Sequence, residues 1–123
     1  MSDRILLQSL RFEGRHGVSD EERELPQEIE LDLEVEADLA AAGTTDDLSR
    51  TIDYGPLVRL CRSVVEDRSY HLLEAIAEEI ASQVLATTRA VAVTVRVRKL
   101  AVPIDADLDF AQVEIRRERP RPS

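Results

Sequence analysis

Aromatic residues are scarce in this chain of 123 residues. Two phenylalanines and two tyrosines make up 3% of the sequence, and tryptophan is absent. The core must therefore be built from aliphatic side chains, and either tyrosine would be a noticeable feature in a pocket. A chain of this length is typical of one domain, and it buries about two-thirds of the surface that its unfolded form exposes.

Cysteine is nearly absent, and the residues that bind metals do not cluster. The single cysteine, Cys61, has no partner for an internal disulfide. Together with a polar start that does not resemble an export signal, this indicates a reducing, cytoplasmic location. The two histidines, His16 and His71, lack the spacing of a metal site, and no apolar run approaches the length of a membrane span. We expect Cys61 to lie in the core, His16 to have a structural role, and the chain to bind neither a metal nor a membrane.

Basic residues are outnumbered, and lysine has almost disappeared. The chain holds 25 acidic and 16 basic residues, which gives a formal net charge of −9. This balance argues against a nucleic-acid partner, since binding to a phosphate backbone needs a basic surface. Fifteen of the basic residues are arginine, and one, Lys99, is lysine. An arginine stays protonated whereas a lysine can give up a proton, so Lys99 is a candidate for acid–base chemistry.

Two segments alternate strictly between apolar and polar residues. Residues 28–36 place aliphatic side chains between acidic ones, and residues 90–99 place valines on one face and Thr94, Arg96 and Arg98 on the other. Alternation with a period of two predicts strands with one buried face. The acidic face of the first strand and the arginines of the second could pair across neighbouring strands.

Two further strands are predicted near the ends of the chain. Residues 4–13 form an apolar segment that ends near Gly14, and residues 107–117 form the last strand. In the last strand the apolar phase changes by one residue, which predicts a β-bulge near Ala111.

Two helices are predicted between these pairs of strands. One begins near Gly55-Pro56, because proline suits the first helical turn, and its apolar residues recur at helical spacing. The other spans about residues 70–86, with Ser69 as its N-cap. The loop over residues 14–26 has room for one helical turn, and residues 37–53 form a polar connection.

The order β-β-α-α-β-β predicts an α+β fold in which an antiparallel sheet carries two helices on one face. Residues 1–118 form this single domain, and residues 119–123 are expected to be a flexible tail. Long sheet edges need covering or pairing with a neighbouring subunit, which favours a homo-oligomer joined edge to edge.

Four residues are candidates for a functional site. Lys99 ends a valine-rich strand and is either an ordinary strand-end lysine or a general base or Schiff-base nucleophile with apolar neighbours. Tyr54, at a helix N-terminus, either stacks on a flat ligand or packs at the surface. Glu22 lies in the loop after Gly17, where it is either solvated or functional. Glu74 is either favoured by the helix dipole or drawn inward by adjacent leucines, where it would bind a guanidine-like edge.

Taken in order along the chain, these segments resemble dihydroneopterin aldolase. The resemblance covers residues 4–118 with no large gap, and each motif is weak alone while the ordered set is specific. The motifs that carry it are Phe12-Glu13-Gly14-Arg15-His16-Gly17-Val18, Glu22, the alternating strand from Gln27, Asp46-Asp47, Thr51-Ile52-Asp53-Tyr54-Gly55, Leu72-Leu73-Glu74 with Ala77-Glu78, and Lys99 with Pro103-Ile104.

The resemblance implies the tunnelling fold, in which four subunits form a ring, alone or stacked as an octamer, and their sheets join into a barrel. Active sites then lie between neighbouring subunits. The implied reaction is a cofactor-free retro-aldol cleavage in folate biosynthesis, in which 7,8-dihydroneopterin gives 6-hydroxymethyl-7,8-dihydropterin and glycolaldehyde. The substrate's own C=N bond accepts the electrons, so the reaction needs no lysine Schiff base.

The resemblance also implies roles for individual residues. Lys99 would be the central acid–base group, working with Glu22 and a bound water. Tyr54 of a neighbouring subunit would stack near the pterin and help to protonate the intermediate. Glu74 would accept two hydrogen bonds from the aminopyrimidine edge. Main-chain groups would complete the recognition of the ring, namely those of Leu73, Val18 and Ile52.

Some residues depart from the family pattern. Leu100 stands where proline usually follows the lysine, Val102 replaces an alanine, and Asp105-Ala106 replaces a common Pro-Gly. Two alternatives stay open on this basis. One is an epimerase of dihydroneopterin or its triphosphate, for which Arg15 and Arg23 are the loop candidates to bind phosphate, and the other is a non-catalytic pterin-binding ring.

Overall fold

A computed structural model describes residues 3–120 of the chain. It confirms the order of two strands, two long helices and two strands, and adds short helical turns in the connections. The elements are β1 (Asp3–Gly14), α1 (Asp20–Glu24), β2 (Gln27–Ala37), α2 (Ala40–Thr45), a 3₁₀ turn (Leu48–Arg50), α3 (Tyr54–Asp67), α4 (Leu73–Thr87), β3 (Ala92–Lys99) and β4 (Ala111–Glu118).

The four strands form one antiparallel sheet in the order β1-β2-β3-β4. Strands β2 and β3 are central, and their register places Ile29 opposite Lys99 and Leu33 opposite Val95. The aliphatic side chains of β2 and β3 point to one face of the sheet, and helices α3 and α4 cover that face. The hydrophobic core lies between the sheet and the two helices. The structure therefore confirms the predicted α+β fold with two helices on one face.

The opposite face of the sheet carries a charge ladder, defined here as Glu30, Asp32, Glu34 and Glu36 of β2 with Arg96 and Arg98 of β3 and Arg116 of β4. The Arg98 guanidinium donates to both carboxylate oxygens of Asp32, at 2.8 and 3.0 Å, and to Glu30 at 2.5 Å. Arg98 and Asp32 are both buried. The predicted pairing of acidic and basic strand faces is thus confirmed.

The ladder is held in its charged form by these hydrogen bonds. The Arg98 guanidinium beside Asp32 keeps the pKa of that carboxyl below its ordinary value, although burial acts in the opposite direction. The same arginine lowers the pKa of Glu30, and Arg116 lowers that of Glu36. Each buried carboxylate has a guanidinium partner, which is the condition under which charges are tolerated inside a protein.

The predicted β-bulge near Ala111 is wrong. The register between β3 and β4 is regular from Lys99 opposite Ala111 to Ala92 opposite Glu118. The change of phase instead marks the start of the strand, since Leu108 lies in the preceding loop and is exposed.

The irregularity of the sheet lies in β1, between Leu7 and Leu10. Ser9 adopts a positive φ of 60° there, and its backbone N–H donates to Asp32 at 2.8 Å. The bulge is therefore tied to the charge ladder. The sequence carries its trace, because the apolar phase changes by one residue between Ile5 and Leu7 on one side and Leu10 and Phe12 on the other, but no bulge was predicted here.

The start of the second long helix also differs from the prediction. Helix α4 begins at Leu73 rather than near residue 70, and Ser69 is not its N-cap. Residues 69–72 lie outside any helix, and the Tyr70 carbonyl there accepts a hydrogen bond from the Gly17 N–H at 3.0 Å. Helix α3 begins within a residue of the predicted position, and Asp53 caps it by accepting from the Gly55 N–H.

The end of the described chain remains attached to the domain. The Arg119 N–H donates to the Val91 carbonyl at 2.9 Å, and its guanidinium donates to the carbonyls of Leu85, Thr88 and Ala90. Arg119 belongs to the segment expected to be a flexible tail. Residues 121–123 of that segment lie outside the described residues.

We predict that Asp32→Asn lowers the free energy of unfolding by about 3 kcal/mol at pH 7, because it leaves Arg98 buried with a weaker partner. The folded-state pKa of Asp32 is lowered, so its pairing stabilises the fold above the unfolded pKa and is lost as the pH falls through the folded pKa. The difference between variant and wild type should therefore shrink well below pH 4. Urea titrations followed by circular dichroism at several pH values measure it.

A matched control is Glu114→Gln. It removes an exposed carboxylate of β4 that pairs with Arg96 of the ladder. It should cost less than about 1 kcal/mol at any pH. An equal cost for the two variants at pH 7 would contradict the assignment of Asp32 to a buried pair.

Candidate active site

A cavity of about 400 Å³ opens at the end of β3. The sheet, the loop between β1 and α1, the start of α4 and the loop after β3 each contribute a wall. Its lining residues are His16, Gly17, Val18, Glu22, His71, Leu72, Leu73, Glu74, Lys99, Val102, Pro103, Ile104 and Ala111.

Lys99 lies where the apolar row of β3 ends. It follows Val95 and Val97 on the core face of the strand and is only 8% exposed. Its ammonium donates to Glu22 Oε2 at 2.8 Å and to the His16 carbonyl at 3.3 Å. The amine is thus held at the cavity wall by a carboxylate and a main-chain oxygen.

Glu22 reaches Lys99 because a capping box fixes its position. The Ser19 hydroxyl accepts from the Glu22 N–H at 3.2 Å, and the Ser19 N–H donates to Glu22 Oε1 at 3.3 Å. Oxygen Oε2 remains for Lys99. The hydrogen bond from Lys99 is the main reason why the pKa of Glu22 lies below its ordinary value. The pair is therefore a carboxylate and an ammonium, which can act as a base and an acid.

Gly17 allows Glu22 to approach the loop closely. Its φ of 156° is one that residues with a side chain rarely adopt. A β-carbon there would lie 2.4 Å from Glu22 Cβ and 2.8 Å from Glu22 Oε2. Glycine is needed at this position for both reasons.

Of the predicted site residues, five line this cavity. Lys99 and Glu22 are in contact, and Val18, Leu73 and Glu74 line the same cavity. Of the two possibilities left open for Glu74, the single chain shows the exposed one, a glutamate in the first turn of a helix, and not the one drawn inward by its neighbouring leucines. Helix α4 begins one residue before it, which leaves Glu74 in the solvent-facing first turn.

Tyr54 and Ile52 do not line this cavity. Tyr54 is the first residue of α3 and is 60% exposed. Ile52 is buried and lines a separate cleft of about 450 Å³ with Asp53 and Pro56. One chain therefore does not bring these two residues to Lys99.

Three residues of the site were missed by the sequence analysis. Ser19 has a readable signal, because Ser-x-x-Glu is the capping-box pattern. The Gln27 side chain donates to the carbonyls of Glu22 and His16, at 3.0 and 3.3 Å. Its position relative to these residues in the sequence does not predict the contacts. His71 lines the cavity, although its place in the sequence suggested only a comparison with metal ligands.

The two residues expected to be structural are both buried. Cys61 lies in the core, and burial raises the pKa of its thiol to about 12. The imidazole of His16 is hydrogen-bonded on both nitrogens. Over residues 3–120, no group of histidine, cysteine and acidic residues is placed to hold a metal ion. None of the helices in that range is long and apolar enough to span a membrane.

The fold and the site define an α+β protein with an ion pair of lysine and glutamate at the wall of a cavity. The family model for dihydroneopterin aldolase (FolB) matches residues 5–116. The chain belongs to the dihydroneopterin aldolase family.

Individual relatives agree with this assignment. Dihydroneopterin aldolase of Methylorubrum extorquens is 42% identical over 120 residues, which cover 97% of this chain and 92% of the relative. The enzyme of Bacillus subtilis is 43% identical over 83 residues, covering 68% of this chain and 69% of the relative. The structure of Escherichia coli dihydroneopterin aldolase in complex with neopterin superposes with a TM-score of 0.87 at 27% identity, and it covers 94% of this chain and 98% of that one.

We predict that Gly17→Ala lowers the free energy of unfolding by about 1–3 kcal/mol, because the methyl group strains the backbone and displaces Glu22. Gly43→Ala is the matched control, since a β-carbon there meets nothing within 4 Å. Within helix α2 it should stabilise the chain by up to about 1 kcal/mol. Chemical denaturation of both variants measures these values, and a Gly17→Ala protein as stable as wild type would refute the strain.

Proposed function

We propose that this cavity is one half of a pterin site, and that the chain cleaves 7,8-dihydroneopterin into 6-hydroxymethyl-7,8-dihydropterin and glycolaldehyde without a cofactor. The observation that carries the proposal is the 2.8 Å contact between Lys99 Nζ and Glu22 Oε2 at the cavity wall. An amine that can exchange a proton, paired with a carboxylate, is what a retro-aldol reaction requires of the protein.

The chemistry consists of one bond cleavage and four proton transfers, two with the cleavage and two after it. A base takes the proton of the side-chain hydroxyl, the carbon–carbon bond breaks, and its electrons pass into the C=N bond of the ring, whose nitrogen takes a proton. Glycolaldehyde leaves, and the enol-like intermediate is then protonated on carbon while the ring nitrogen releases its proton. Lys99, with Glu22 and a bound water, would serve the hydroxyl and the ring nitrogen.

The other walls of the cavity suit a flat, polar ring. The Glu74 carboxylate, at the start of α4, would accept two hydrogen bonds from the aminopyrimidine edge. Leu73 and Val18 line the same cavity, and their main-chain groups would complete the recognition. Val18 is 71% exposed in the single chain, so its side chain is available to cover a ligand.

The remaining residues would come from a second copy of the chain. Tyr54 and Ile52 lie outside the Lys99 cavity, as described above, and Tyr54 is exposed. We infer a homo-oligomer, a tetramer or an octamer, in which Tyr54 of the neighbouring subunit stacks near the pterin and protonates the intermediate. The main chain at Ile52 would contact the same ring.

The triphosphate alternative has less support. Arg15 donates to the Glu24 carbonyl at 2.8 Å, and Arg23 donates to the carbonyls of Gly17 and Val18 and pairs with Asp20. Both arginines therefore stabilise the loop itself. We propose a neutral pterin as the small-molecule partner, with no nucleic acid or membrane, and a cytoplasmic location remains a prediction.

We predict that Lys99→Ala and Lys99→Arg both reduce kcat for 7,8-dihydroneopterin by at least about a hundredfold. Lys99→Arg keeps the charge beside Glu22 but cannot release a proton, so it separates proton transfer from electrostatics. The measurement is product analysis by liquid chromatography. Glycolaldehyde identifies the aldolase, a monapterin-type isomer without cleavage identifies the epimerase, and full activity in both variants would remove Lys99 from the mechanism.

We predict that two inactive variants, Lys99→Ala and Tyr54→Phe, regain activity when they are unfolded together and refolded as mixed oligomers. With random assembly, about a quarter of the sites combine an intact lysine with an intact tyrosine from the neighbour. Refolding each variant alone is the control. A mixture that stays as inactive as its components would place both residues in one subunit's site.

A further inference from the structure

His16 is fixed in one tautomer by its two hydrogen bonds. Its Nδ1 accepts from the Tyr70 N–H at 3.0 Å, and its Nε2 lies 2.7 Å from the Val65 carbonyl. Because a backbone amide can only donate, Nδ1 carries no hydrogen, and Nε2 must donate to Val65. The imidazole is therefore neutral. Burial, together with the charge of Lys99, lowers the pKa of His16 and favours this form.

The ring joins parts of the chain that are distant in sequence. Val65 lies in the last turn of α3, where carbonyls lack partners within the helix, and His16 satisfies this one. A β-carbon on Gly14 would lie 2.3 Å from His16 Nε2, so glycine is needed there to admit the ring. The site loop is thus anchored to the end of α3.

The backbone of His16 and its neighbour then positions both walls of the cavity. The His16 carbonyl accepts from Lys99 Nζ and from Gln27, each at 3.3 Å. The Gly17 N–H donates to the Tyr70 carbonyl at 3.0 Å. Tyr70 immediately precedes residues 71–74, which line the cavity. The His16 imidazole therefore fixes both the carbonyl that accepts from Lys99 and the start of this segment.

We propose that His16 is a positioning residue for the acid–base pair, which sets the place of the Lys99 amine relative to Glu22 and to the wall that begins after Tyr70. This rests on the proposed function, because the amine is positioned for the same reaction. His16 lines the cavity, but both of its ring nitrogens are occupied by main-chain groups. It therefore acts through its neighbours.

The test compares three variants at His16 with a core control. His16→Phe keeps a ring and loses both hydrogen bonds, His16→Asn keeps an acceptor for Tyr70, and His16→Gln keeps a donor for Val65. Val84→Ala is the control, because Val84 is fully buried in α4 and does not line the cavity. Circular dichroism shows which variants fold, and steady-state kinetics on the full chain gives kcat and KM separately.

We expect His16→Phe to lose about a hundredfold in kcat, as displacement of a reacting group by about 1 Å does. The Asn and Gln variants should recover part of this loss, and KM should change less than kcat. Val84→Ala should lose stability with unchanged kcat. A folded His16→Phe protein that keeps the wild-type kcat overturns the proposal. If that variant does not fold, unchanged kcat in both the Asn and the Gln variant, each of which retains only one of the two hydrogen bonds, overturns it.

A second readout does not depend on turnover. Lys99 is the only lysine in the chain, so labelling with ¹³C,¹⁵N-lysine gives one lysine side-chain signal in the NMR spectrum. At one fixed pH, this signal should move in every folded His16 variant and stay in place in Val84→Ala. An unmoved signal would overturn the proposal for His16. A wild-type protein that releases no glycolaldehyde would overturn the proposed function instead, and the Lys99 signal would still decide the role of His16.

Discussion

The register between β2 and β3 is the constraint on which the rest of the structure depends. It places the aliphatic side chains of both strands under the helices and brings the carboxylates of β2 to the guanidinium groups of β3. A slip of one residue would exchange the two faces and bury unpaired charges. Lys99 ends the apolar row, so the same register also delivers the amine to the cavity, 2.8 Å from Glu22.

Features with a periodic signal were predictable from the sequence. The alternation over 28–36 and 90–99 correctly gave two strands, their buried faces and the pairing of charges between them. Pro56 placed the start of helix α3 to within a residue, and the aliphatic stripe identified its buried face. Lys99 stood out because it is the one lysine among sixteen basic residues, and the ordered motifs gave the family.

Features that depend on distant backbone contacts were not predictable. The late start of α4 accompanies the hydrogen bond from the Gly17 N–H to the Tyr70 carbonyl, a contact that leaves no local pattern. The bulge at Ser9 does leave one, since the apolar phase changes between Leu7 and Leu10, but only the similar change at the beginning of β4 was interpreted as a bulge. The exposure of Glu74 likewise follows from where its helix begins, which the sequence did not settle.

The arginines of the charge ladder make the fold asymmetric in its response to pH. Ion pairing raises the pKa of Arg96, Arg98 and Arg116 further above a value that is already beyond the reach of ordinary alkaline solutions. Alkaline solution therefore does not deprotonate the arginines of the ladder. Lys99 is a different kind of cation, since an amine can release its proton where a guanidinium cannot. The cations that stabilise the sheet are therefore of a chemical type that cannot take part in proton transfer, and the one cation that can take part lies at the end of the apolar row, outside the ladder.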